Sequence, residues 1–323
     1  MYKVAVVIPI YNVEDYIVRC AESLFSQTLD DMQFIFVDDA SPDDSIARLE
    51  QTIEHFPHRK EQTIILHHPE NLGLPTARAT GLARVEAPYV AHCDSDDYVE
   101  PTMYAKLYEN AIKNDSDMVI CGWKNHFADG REYCESDFPG QEGNLIRHFL
   151  SSDSRCCFVW CRLTRTEIYR KVRFPKENFL EDWVQTVQLL TYARRISFLN
   201  EYLYHYVKRP VSISTNVEQD VIEDNLRQCV TNFYLAHDFI VEHHHVKEKM
   251  FVLRKQCVRS KFLFSAKQWR FRKRYLQTFP EINFCLLYDR FVPLRYKVYH
   301  VFVLLGIHLI AKKVYRHFKP SFS

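Results

Sequence analysis

Continuous apolar runs alternate with amphipathic stretches through the first 120 residues of the chain. The runs fit buried parallel strands, which need no polar face because helices cover both sides of the sheet. The stretches between them repeat apolar residues three or four positions apart, as helices do when they bury one side. The pattern predicts a mostly parallel, Rossmann-like α/β sheet with helices on both faces, and Pro9 and Asn12 are expected to end its first strand. The predicted strands are residues 4–8, 34–37, 63–67, 89–93 and 118–122, and the predicted helices are residues 14–26, 45–55, 75–85 and 101–114.

Polar residues cluster where the predicted strands end. Tyr11 and Asn12 follow the first strand, Asp38 and Asp39 follow the second, and residues 94–97 follow the fourth. In an open parallel sheet, ligands bind beyond the carboxyl ends of the strands. The sequence therefore predicts a polar binding site along this edge of the sheet.

The acidic segment at residues 94–97 is the strongest local signal. Asp94, Asp96 and Asp97 place three carboxylates within four residues, and these repel one another unless a cation lies among them. Carboxylate oxygens are ligands that Mg²⁺ and Mn²⁺ prefer, and such an ion could bridge a diphosphate. A solvated acidic turn explains the same residues, so the segment alone leaves both interpretations open.

Charge is distributed unevenly, although the whole chain carries a formal net charge of only +1. Residues 1–123 contain 21 acidic and 9 basic side chains, whereas residues 124–323 contain 20 and 33. Residues 124–215 show short elements separated by loops, residues 216–276 show helical spacing, and residues 277–323 are basic and aromatic. The asymmetry indicates two different tasks on one chain.

Several polar segments occur in a fixed order, and together they are far more specific than any one alone. The series resembles the family-2 inverting glycosyltransferases of the bacterial cell-surface polysaccharide type, which have the GT-A fold. The segments over residues 1–123 are VAVVIPIYN from Val4, SLFSQT from Ser23, FVDDAS from Phe36, NLGLPTAR from Asn71 and DSDD from Asp94. The resemblance continues to about residue 214 through VWCRL from Val159, FLEDW from Phe179 and YHYVKRPVSI from Tyr204.

The resemblance implies a division of the chain and a role for each matching polar residue. Residues 1–123 would bind the nucleotide sugar, residues 124–215 would bind the acceptor and carry the catalytic base, and residues 216–323 would form a helical C-terminal region. Asp96 would bind the metal, Mn²⁺ or Mg²⁺, with Asp97 supporting the turn. The nucleotide would be bound by Pro9, Tyr11 and Asp39 at the base, Asp94 and Ser95 at the ribose, and Arg78 at phosphate.

The resemblance also assigns the general base. Asp182 would accept the proton of the acceptor hydroxyl as that oxygen attacks the anomeric carbon, and Glu181 would support it by like-charge repulsion. A carboxylate favoured by the dipole at a helix N-terminus explains Glu181 equally well.

The chain departs from the family pattern in two places. Relatives commonly have Arg where this chain has Val207, so Lys208 or Arg209 would have to bind the diphosphate. Relatives also often have Trp-Asn-Lys where this chain has WCR from Trp160, so this loop is expected to shape the acceptor pocket. His205 could ligate a metal, but a histidine packed among tyrosines is the favoured interpretation.

The last third of the chain mixes basic and aromatic residues. Residues 247–274 hold 11 Lys and Arg against one acidic residue. This composition favours an anionic membrane surface as a partner, and nucleic acid is not expected. The apolar run at residues 298–311 is shorter than the roughly 20 residues that span a bilayer. An interfacial helix over residues 296–318 is therefore predicted, with a helix packed on the catalytic domain as the alternative.

Location and function follow as expectations. The ten cysteines form no CxxC pair, and the first residues fit a strand better than a secretory signal. We therefore expect reduced thiols and a cytoplasmic protein, peripheral on the inner face of the cytoplasmic membrane. The expected reaction moves a sugar from a nucleotide-diphosphate-sugar, UDP-linked in the favoured case, to a hydroxyl of a glycan or lipid-linked glycan. The alternatives are a polyprenyl-phosphate glycosyltransferase and a non-catalytic nucleotide-sugar-binding membrane scaffold.

Overall fold

The computed structural model places a large α/β sheet in the first part of the chain and helices in the last part. The chain forms two compact units, residues 1–215 and residues 216–323. The residues described are 1–136, 158–209, 219–243, 276–277, 279–280, 282–288 and 294–305.

The elements of the first unit alternate between strands and helices as predicted for residues 1–123. The strands are β1 (Val4–Ile10), β2 (Met32–Asp38), β3 (Thr63–His67), β4 (Tyr89–His92), β5 (Tyr98–Val99), β6 (Met118–His126), β7 (Glu132–Glu135), β8 (Arg162–Arg165) and β9 (Ile196–Val207). The helices are α1 (Ile17–Phe25), α2 (Ser45–Glu54), a 3-10 helix (Pro57–Gln62), α3 (Leu74–Leu82), α4 (Met103–Lys113), α5 (Thr166–Tyr169) and α6 (Glu181–Tyr192).

Within the described residues, all strands belong to one sheet in the order β3-β2-β1-β4-β8-β6-β9-β5, with β7 paired to β6. Strands β1 to β4 pair in parallel, and β6 pairs in parallel with β9. Strand β8 runs antiparallel to both β4 and β6. Strand β8 therefore lies between the parallel strands β1 to β4 and the strands β6 and β9. One continuous sheet carries both groups of strands.

Strand β1 runs through Pro9 to Ile10, two residues beyond the predicted end. Proline lacks the N–H that a ladder needs, which is why the sequence places the end of the strand there. The pairing of β1 with β4 stops at Val7, opposite His92, whereas its pairing with β2 continues to Ile10. Alternate residues of β1 form hydrogen bonds to β2 and to β4, and Pro9 is on the β4 side. Because the pairing with β4 ends at Val7, no hydrogen bond is lost at Pro9.

Gly81 explains how closely α3 approaches the sheet. A Cβ at this position would lie 2.4 Å from Cγ1 of Val7 and 3.2 Å from Cγ2 of Val37. Arg78 lies three residues earlier, on the same face of α3. The close approach of the helix therefore draws the Arg78 side chain into the interior, where only 2% of it is exposed.

The second unit is helical where it is described. Its helices are α7 (Gln219–Glu242), α8 (Ile282–Tyr288) and α9 (Leu294–Leu304). Phe233 packs edge-on against Phe279, with ring centroids 5.5 Å apart. Among the residues described, no helix combines the length and hydropathy needed to cross a bilayer. Helix α9 includes the start of the helix predicted over residues 296–318, and residues 306–318 lie outside the described part.

Candidate active site

The loops that follow β1 and β2 are tied to each other. Asn12 and Ala40 both adopt left-handed backbone conformations, with φ of 55° and 56°. The Asn12 amide donates to Oγ of Ser41 at 2.8 Å. Tyr11 is 47% exposed beside them, and Pro9 is buried in β1. The predicted nucleobase pocket therefore has one exposed aromatic ring on a fixed loop.

Asp39 is buried and organises the loop that leads into α3. Its Oδ1 accepts hydrogen bonds from the Leu72 amide at 2.8 Å and pairs with Nδ1 of His68 at 2.7 Å. Its Oδ2 accepts from the Gly73 amide at 2.8 Å. A contact of Asp39 with a nucleobase stays a prediction, and these bonds leave it little remaining acceptor capacity.

Asp97 is also fully buried, and it anchors β9 to the acidic segment. Its Oδ2 accepts the Tyr204 hydroxyl at 2.7 Å, and its Oδ1 accepts the Val207 amide at 2.8 Å. The same hydroxyl accepts the Asp94 amide at 3.1 Å. Burial, then Asp96 and Asp94, raises the pKa of Asp97 well above its usual range. Both oxygens of Asp97 thus serve the fold.

Asp94 and Asp96 differ from Asp97 because their carboxylates reach solvent, with 26% and 24% of each side chain exposed. Nη2 of Arg78 donates to Oδ1 of Asp94 at 2.6 Å, and Nη1 of Arg209 lies 3.3 Å from Oδ2 of Asp96. Burial and Asp94 raise the pKa of Asp96, and Arg209 opposes them. Ser95 is buried between the two aspartates.

The donor set at this segment fits a hard divalent cation held partly by its substrate. Mg²⁺ and similar ions are often bound through one or two carboxylates, with phosphate and water completing the shell. Asp94 and Asp96 supply such oxygens. Within the described residues, no cluster of three or more His, Cys, Asp or Glu side chains is arranged to hold a metal ion.

Arg78 lies between the two halves of the site. One nitrogen donates to Asp94, and Nη1 forms an ion pair with Oε1 of Glu181. Burial lowers the pKa of a guanidinium, but the carboxylates of Asp94 and Asp182 outweigh it and raise the pKa of Arg78. The contact of Arg78 with phosphate stays a prediction. The structure places the Arg78 guanidinium between the carboxylates of Asp94 and Glu181.

Asp182 lies in the first turn of α6, which begins directly after Leu180 in a left-handed conformation with φ of 63°. Its side chain is partly exposed, and Oδ1 accepts the Trp183 amide at 2.9 Å. Burial, followed by the charge of Asp94, raises the pKa of Asp182 to about 6, against the opposing charge of Arg78. A carboxyl with this pKa is suited to accept a proton near neutral pH.

Glu181 occupies a different environment from its neighbour. Its side chain is buried and pairs with Arg78 through one oxygen and with Nε2 of Gln185 through the other. The carboxylate that raises the pKa of Asp182 is Asp94, from the acidic segment. Support of the base by Glu181 stays a prediction, with Arg78 as its visible contact.

Lys208 and Arg209 diverge after β9 ends. Nζ of Lys208 lies 3.7 Å from the centroid of the Tyr206 ring. Arg209 reaches the acidic segment, and its Nη2 also lies 3.4 Å from the Asn12 carbonyl. Of the two candidates for a diphosphate contact, Arg209 is the one that the fold brings next to Asp96.

The sequence singled out the segments that contain Trp160 and Tyr204 but did not indicate what these side chains contact. Trp160 stacks on Tyr204 with ring centroids 4.1 Å apart, and Phe158 stacks on Trp160 at 4.6 Å. Tyr169 and Gln185, whose side chains are hydrogen-bonded to each other, were also missed. The alternation of tyrosines in β9 signals one shared face, but nothing local indicates that Tyr204 reaches Asp97.

His205 is packed, in agreement with the favoured interpretation of the sequence. Its Nδ1 lies 2.8 Å from Nε2 of His126, and its Nε2 lies 3.0 Å from Oε1 of Glu100. The ring stacks on Tyr98 at a centroid distance of 4.2 Å. Burial lowers the pKa of His205, although Glu100 opposes this. Both ring nitrogens are engaged within the protein.

Comparison with known proteins identifies the family of the chain. The chain matches the sequence profile of glycosyl transferase family 2 over residues 5–173. It is 30% identical over 239 residues to the uncharacterized glycosyltransferase EpsJ of Bacillus subtilis, covering 70% of this chain and 67% of that protein. Among solved structures, it is similar to S. aureus TarS 1-349 in complex with UDP-GlcNAc, with a TM-score of 0.65 and 21% identity, over 99% of this chain and 93% of that chain. It is also similar to the mannosyltransferase PcManGT from Pyrobaculum calidifontis in complex with GDP-Man and Mn²⁺, with a TM-score of 0.53 and 14% identity, over 99% and 89%.

Proposed function

The chain belongs to glycosyl transferase family 2 and has the GT-A fold, and on this basis we propose that it transfers a sugar from a UDP-sugar to a hydroxyl group. The acceptor is a glycan or a lipid-linked glycan, and the reaction serves the synthesis of a surface polysaccharide, lipopolysaccharide or capsule. Residues 1–123 bind the donor, and residues 124–215 bind the acceptor and supply the base. The complex of TarS 1-349 with UDP-GlcNAc supports UDP as the nucleotide.

The position of Asp182 carries the proposal. It is a partly exposed carboxylate whose pKa of about 6 is set by burial and by Asp94 at the end of β4. Asp182 accepts the proton of the acceptor hydroxyl while the hydroxyl oxygen forms a bond to the anomeric carbon. The bond from that carbon to the diphosphate oxygen breaks in the same displacement, so the configuration inverts. A positioned base of this kind contributes a factor of about 10²–10⁴.

The remaining residues of the site bind and orient the donor. Pro9 and Tyr11 line the nucleobase site, Asp39 uses its remaining acceptor position for a ring N–H of the nucleobase, and Asp94 and Ser95 bind the ribose. We assign the metal ion, Mn²⁺ or Mg²⁺, to Asp96, and the Mn²⁺ complex of PcManGT supports that choice of ion. A divalent cation bound there supplies positive charge to the diphosphate of the leaving nucleotide. Arg209 lies beside Asp96, and we assign it to the same diphosphate.

A thermal-shift screen of nucleotide sugars, with and without Mn²⁺, tests the donor. A ligand that binds the folded state raises the Tm, so a UDP-sugar with Mn²⁺ is expected to give the largest rise. If no nucleotide sugar raises the Tm in either condition, the proposed donor class is wrong.

Two variants then test catalysis with the donor identified in the screen. Asp96→Ala is expected to abolish Mn²⁺-dependent donor turnover, whereas Asp182→Asn is expected to bind the donor and lose transfer. Asp31→Asn, a change at an exposed pair with Lys3, is the matched control. Full transfer by Asp182→Asn would instead point to an acceptor that is already anionic, such as a polyprenyl phosphate. Donor binding without any turnover by the native chain would favour the scaffold alternative.

We also propose that the C-terminal unit docks on an anionic membrane, at the inner face of the cytoplasmic membrane. Leu294 and Leu305 on and beside α9 are 73% and 64% exposed, and Val301 is exposed between them. Their spacing of seven and four residues puts them on one face of the helix. An exposed apolar face in a basic chain segment fits an interfacial helix.

Vesicle co-sedimentation tests the membrane proposal. Binding is expected to vesicles that contain phosphatidylserine, to weaken as salt is raised, and to fall in a Leu294→Ser, Leu305→Ser double variant. Equal partition to neutral phosphatidylcholine vesicles would contradict the electrostatic part. No partition to either would contradict the docking itself.

A further inference from the structure

Helix α6 carries glutamines on its buried side, where a polar side chain needs a partner. Gln185 is fully buried one turn after Glu181. The Tyr169 hydroxyl, at the end of α5, donates to Oε1 of Gln185 at 2.7 Å. That bond fixes the orientation of the amide, so Nε2 is left to donate to Oε2 of Glu181.

The chain of hydrogen bonds continues to the acidic segment. Oε1 of Glu181 pairs with Nη1 of Arg78, and Nη2 of Arg78 donates to Oδ1 of Asp94 at 2.6 Å. Each member except Asp94 is buried. The network therefore links three helices, α5, α6 and α3, to Asp94, two residues after β4, and it divides the guanidinium of Arg78 between two carboxylates.

Asp182 is beside this network without being bonded into it. Within the part of the chain that the structure describes, its carboxylate accepts the Trp183 amide and forms no ion pair with Arg78. The charge of Arg78 still acts on it, since Arg78 is the largest influence that lowers the Asp182 pKa. A direct pair with arginine lowers the pKa of an aspartate by about 1–3 units, which would weaken it as a base.

We propose that Gln185 and Tyr169 are positioning residues: by fixing Glu181, they hold Arg78 on Glu181 and Asp94, and so keep the guanidinium from pairing with Asp182. The inference rests on the proposed function, because it concerns the residue that accepts the acceptor proton. It assigns the buried Glu181 a specific task, which is to compete with Asp182 for Arg78. It also gives a reason for the buried hydrogen bond between the Tyr169 hydroxyl on α5 and Gln185 on α6.

Two variants break the network at different points. Tyr169→Phe removes the hydroxyl and keeps the ring, which packs against His92 with centroids 4.9 Å apart. Gln185→Leu removes the amide that holds Glu181. In both variants Arg78 is free to turn toward Asp182, so the acid-side pKa of the kcat/KM profile is expected to fall by about one unit or more. Transfer at high pH is expected to fall about tenfold, with a smaller change in the KM for the donor.

Gln188→Leu is the matched control. Gln188 is equally buried on the same helix, but its amide bonds the backbone of Arg173, accepting from its N–H and donating to its carbonyl, each at 2.8 Å. Loss of these bonds is expected to lower the Tm without moving the acid-side pKa. An equal movement in Gln188→Leu would mean that any loosening of α6 has the same effect, and the proposal would be wrong.

A second readout follows Asp182 without any reaction. The Tm difference between each protein and its Asp182→Asn counterpart changes with pH from the unfolded aspartate pKa of about 3.9 up to the pKa of Asp182 in the folded state, where it levels off. The pH at which it levels off is expected to fall in Tyr169→Phe and Gln185→Leu and to stay in place in Gln188→Leu. An unchanged or raised value in Tyr169→Phe overturns the proposal, even if Gln185→Leu fails to fold. Failure of the proposed function appears separately, as absent transfer by the native chain.

Discussion

Arg209 lies with its Nη1 3.3 Å from Oδ2 of Asp96, although the two residues are 113 positions apart in the chain. The same arginine lies over the ring of Tyr16, 4.9 Å from its centroid. A cation next to the predicted metal ligand has two opposite consequences. It competes with a divalent ion for Asp96, and it attracts the diphosphate that accompanies the ion.

Arg209→Gln should therefore separate these consequences. Mn²⁺ binding without donor is expected to tighten up to about fivefold, because an ion pair at a partly exposed site contributes about 0.2–1 kcal/mol. Binding of UDP with Mn²⁺ is expected to weaken about tenfold or more, because a charged hydrogen bond is lost. Isothermal titration calorimetry measures both. Lys208→Gln is the control, since Lys208 lies against Tyr206, and an equal loss of UDP affinity there would contradict the assignment to Arg209.

The pH dependence of transfer should follow Asp182. The carboxylate accepts a proton only when it is ionised, so kcat/KM is expected to rise with pH through about 6 and then level off. Steady-state rates from pH 4.5 to 8.5 at constant ionic strength measure this acid-side pKa. An acid-side pKa near the usual aspartate value of about 3.9 would contradict the burial and charge that the structure assigns to Asp182.

Asp182→Asn should also change stability in a pH-dependent direction. The folded-state pKa of Asp182 is raised, so the native protein loses stability as pH rises from the unfolded value of about 3.9 through about 6. The neutral asparagine avoids this loss, and the variant is expected to have the higher Tm at pH 7.5 and an equal Tm near pH 4. Asp31→Asn is expected to change the stability in the opposite direction. The hydrogen bond from Lys3 lowers the pKa of Asp31, so removing that carboxylate should cost stability at neutral pH.

Gly73→Ala should destabilise the loop between Asp39 and α3 for two reasons. The backbone has φ of 88°, and a Cβ would lie 2.6 Å from Oδ1 of Asn178. Gly130→Ala is a matched control, because Gly130 has φ of 82° with nothing within 4 Å of the added Cβ. Backbone strain alone costs about 1–3 kcal/mol. Denaturant unfolding is expected to show a larger loss for Gly73→Ala than for Gly130→Ala, and equal losses would mean that Asn178 yields without cost.

Much of the first unit could be predicted from the sequence because its strands are buried on both faces. Apolar runs such as those in β1 and β2 contain few polar residues, and the turn residues that follow them mark where the helices begin. The exception at Pro9 is informative. Local chemistry places the strand end at the proline, but whether a missing N–H costs anything depends on where β4 stops pairing.

The candidate site was only partly predictable. The resemblance brings Asp94, Asp96 and Asp182 to attention, but it leaves the neighbours of each carboxylate open. Asp97 shows why. It belongs to the same acidic segment, but its carboxylate accepts hydrogen bonds from the Tyr204 hydroxyl and the Val207 amide and so holds β9 in place. Glu181 was expected to act on Asp182 by repulsion, and the structure gives it Arg78 and Gln185 as partners.

The sequence by itself determined most of the strands and helices of residues 1–123 and which polar residues stand at the ends of those strands. Both depend on patterns that repeat over a few residues, the periods of strand and helix and the chemistry of turns. Only the tertiary structure decided which carboxylate faces solvent, which is buried in the fold, and where the charge of Arg78 is directed. Those outcomes depend on contacts between residues that are far apart in the chain, such as Arg78 with Glu181, and on the burial that such contacts produce.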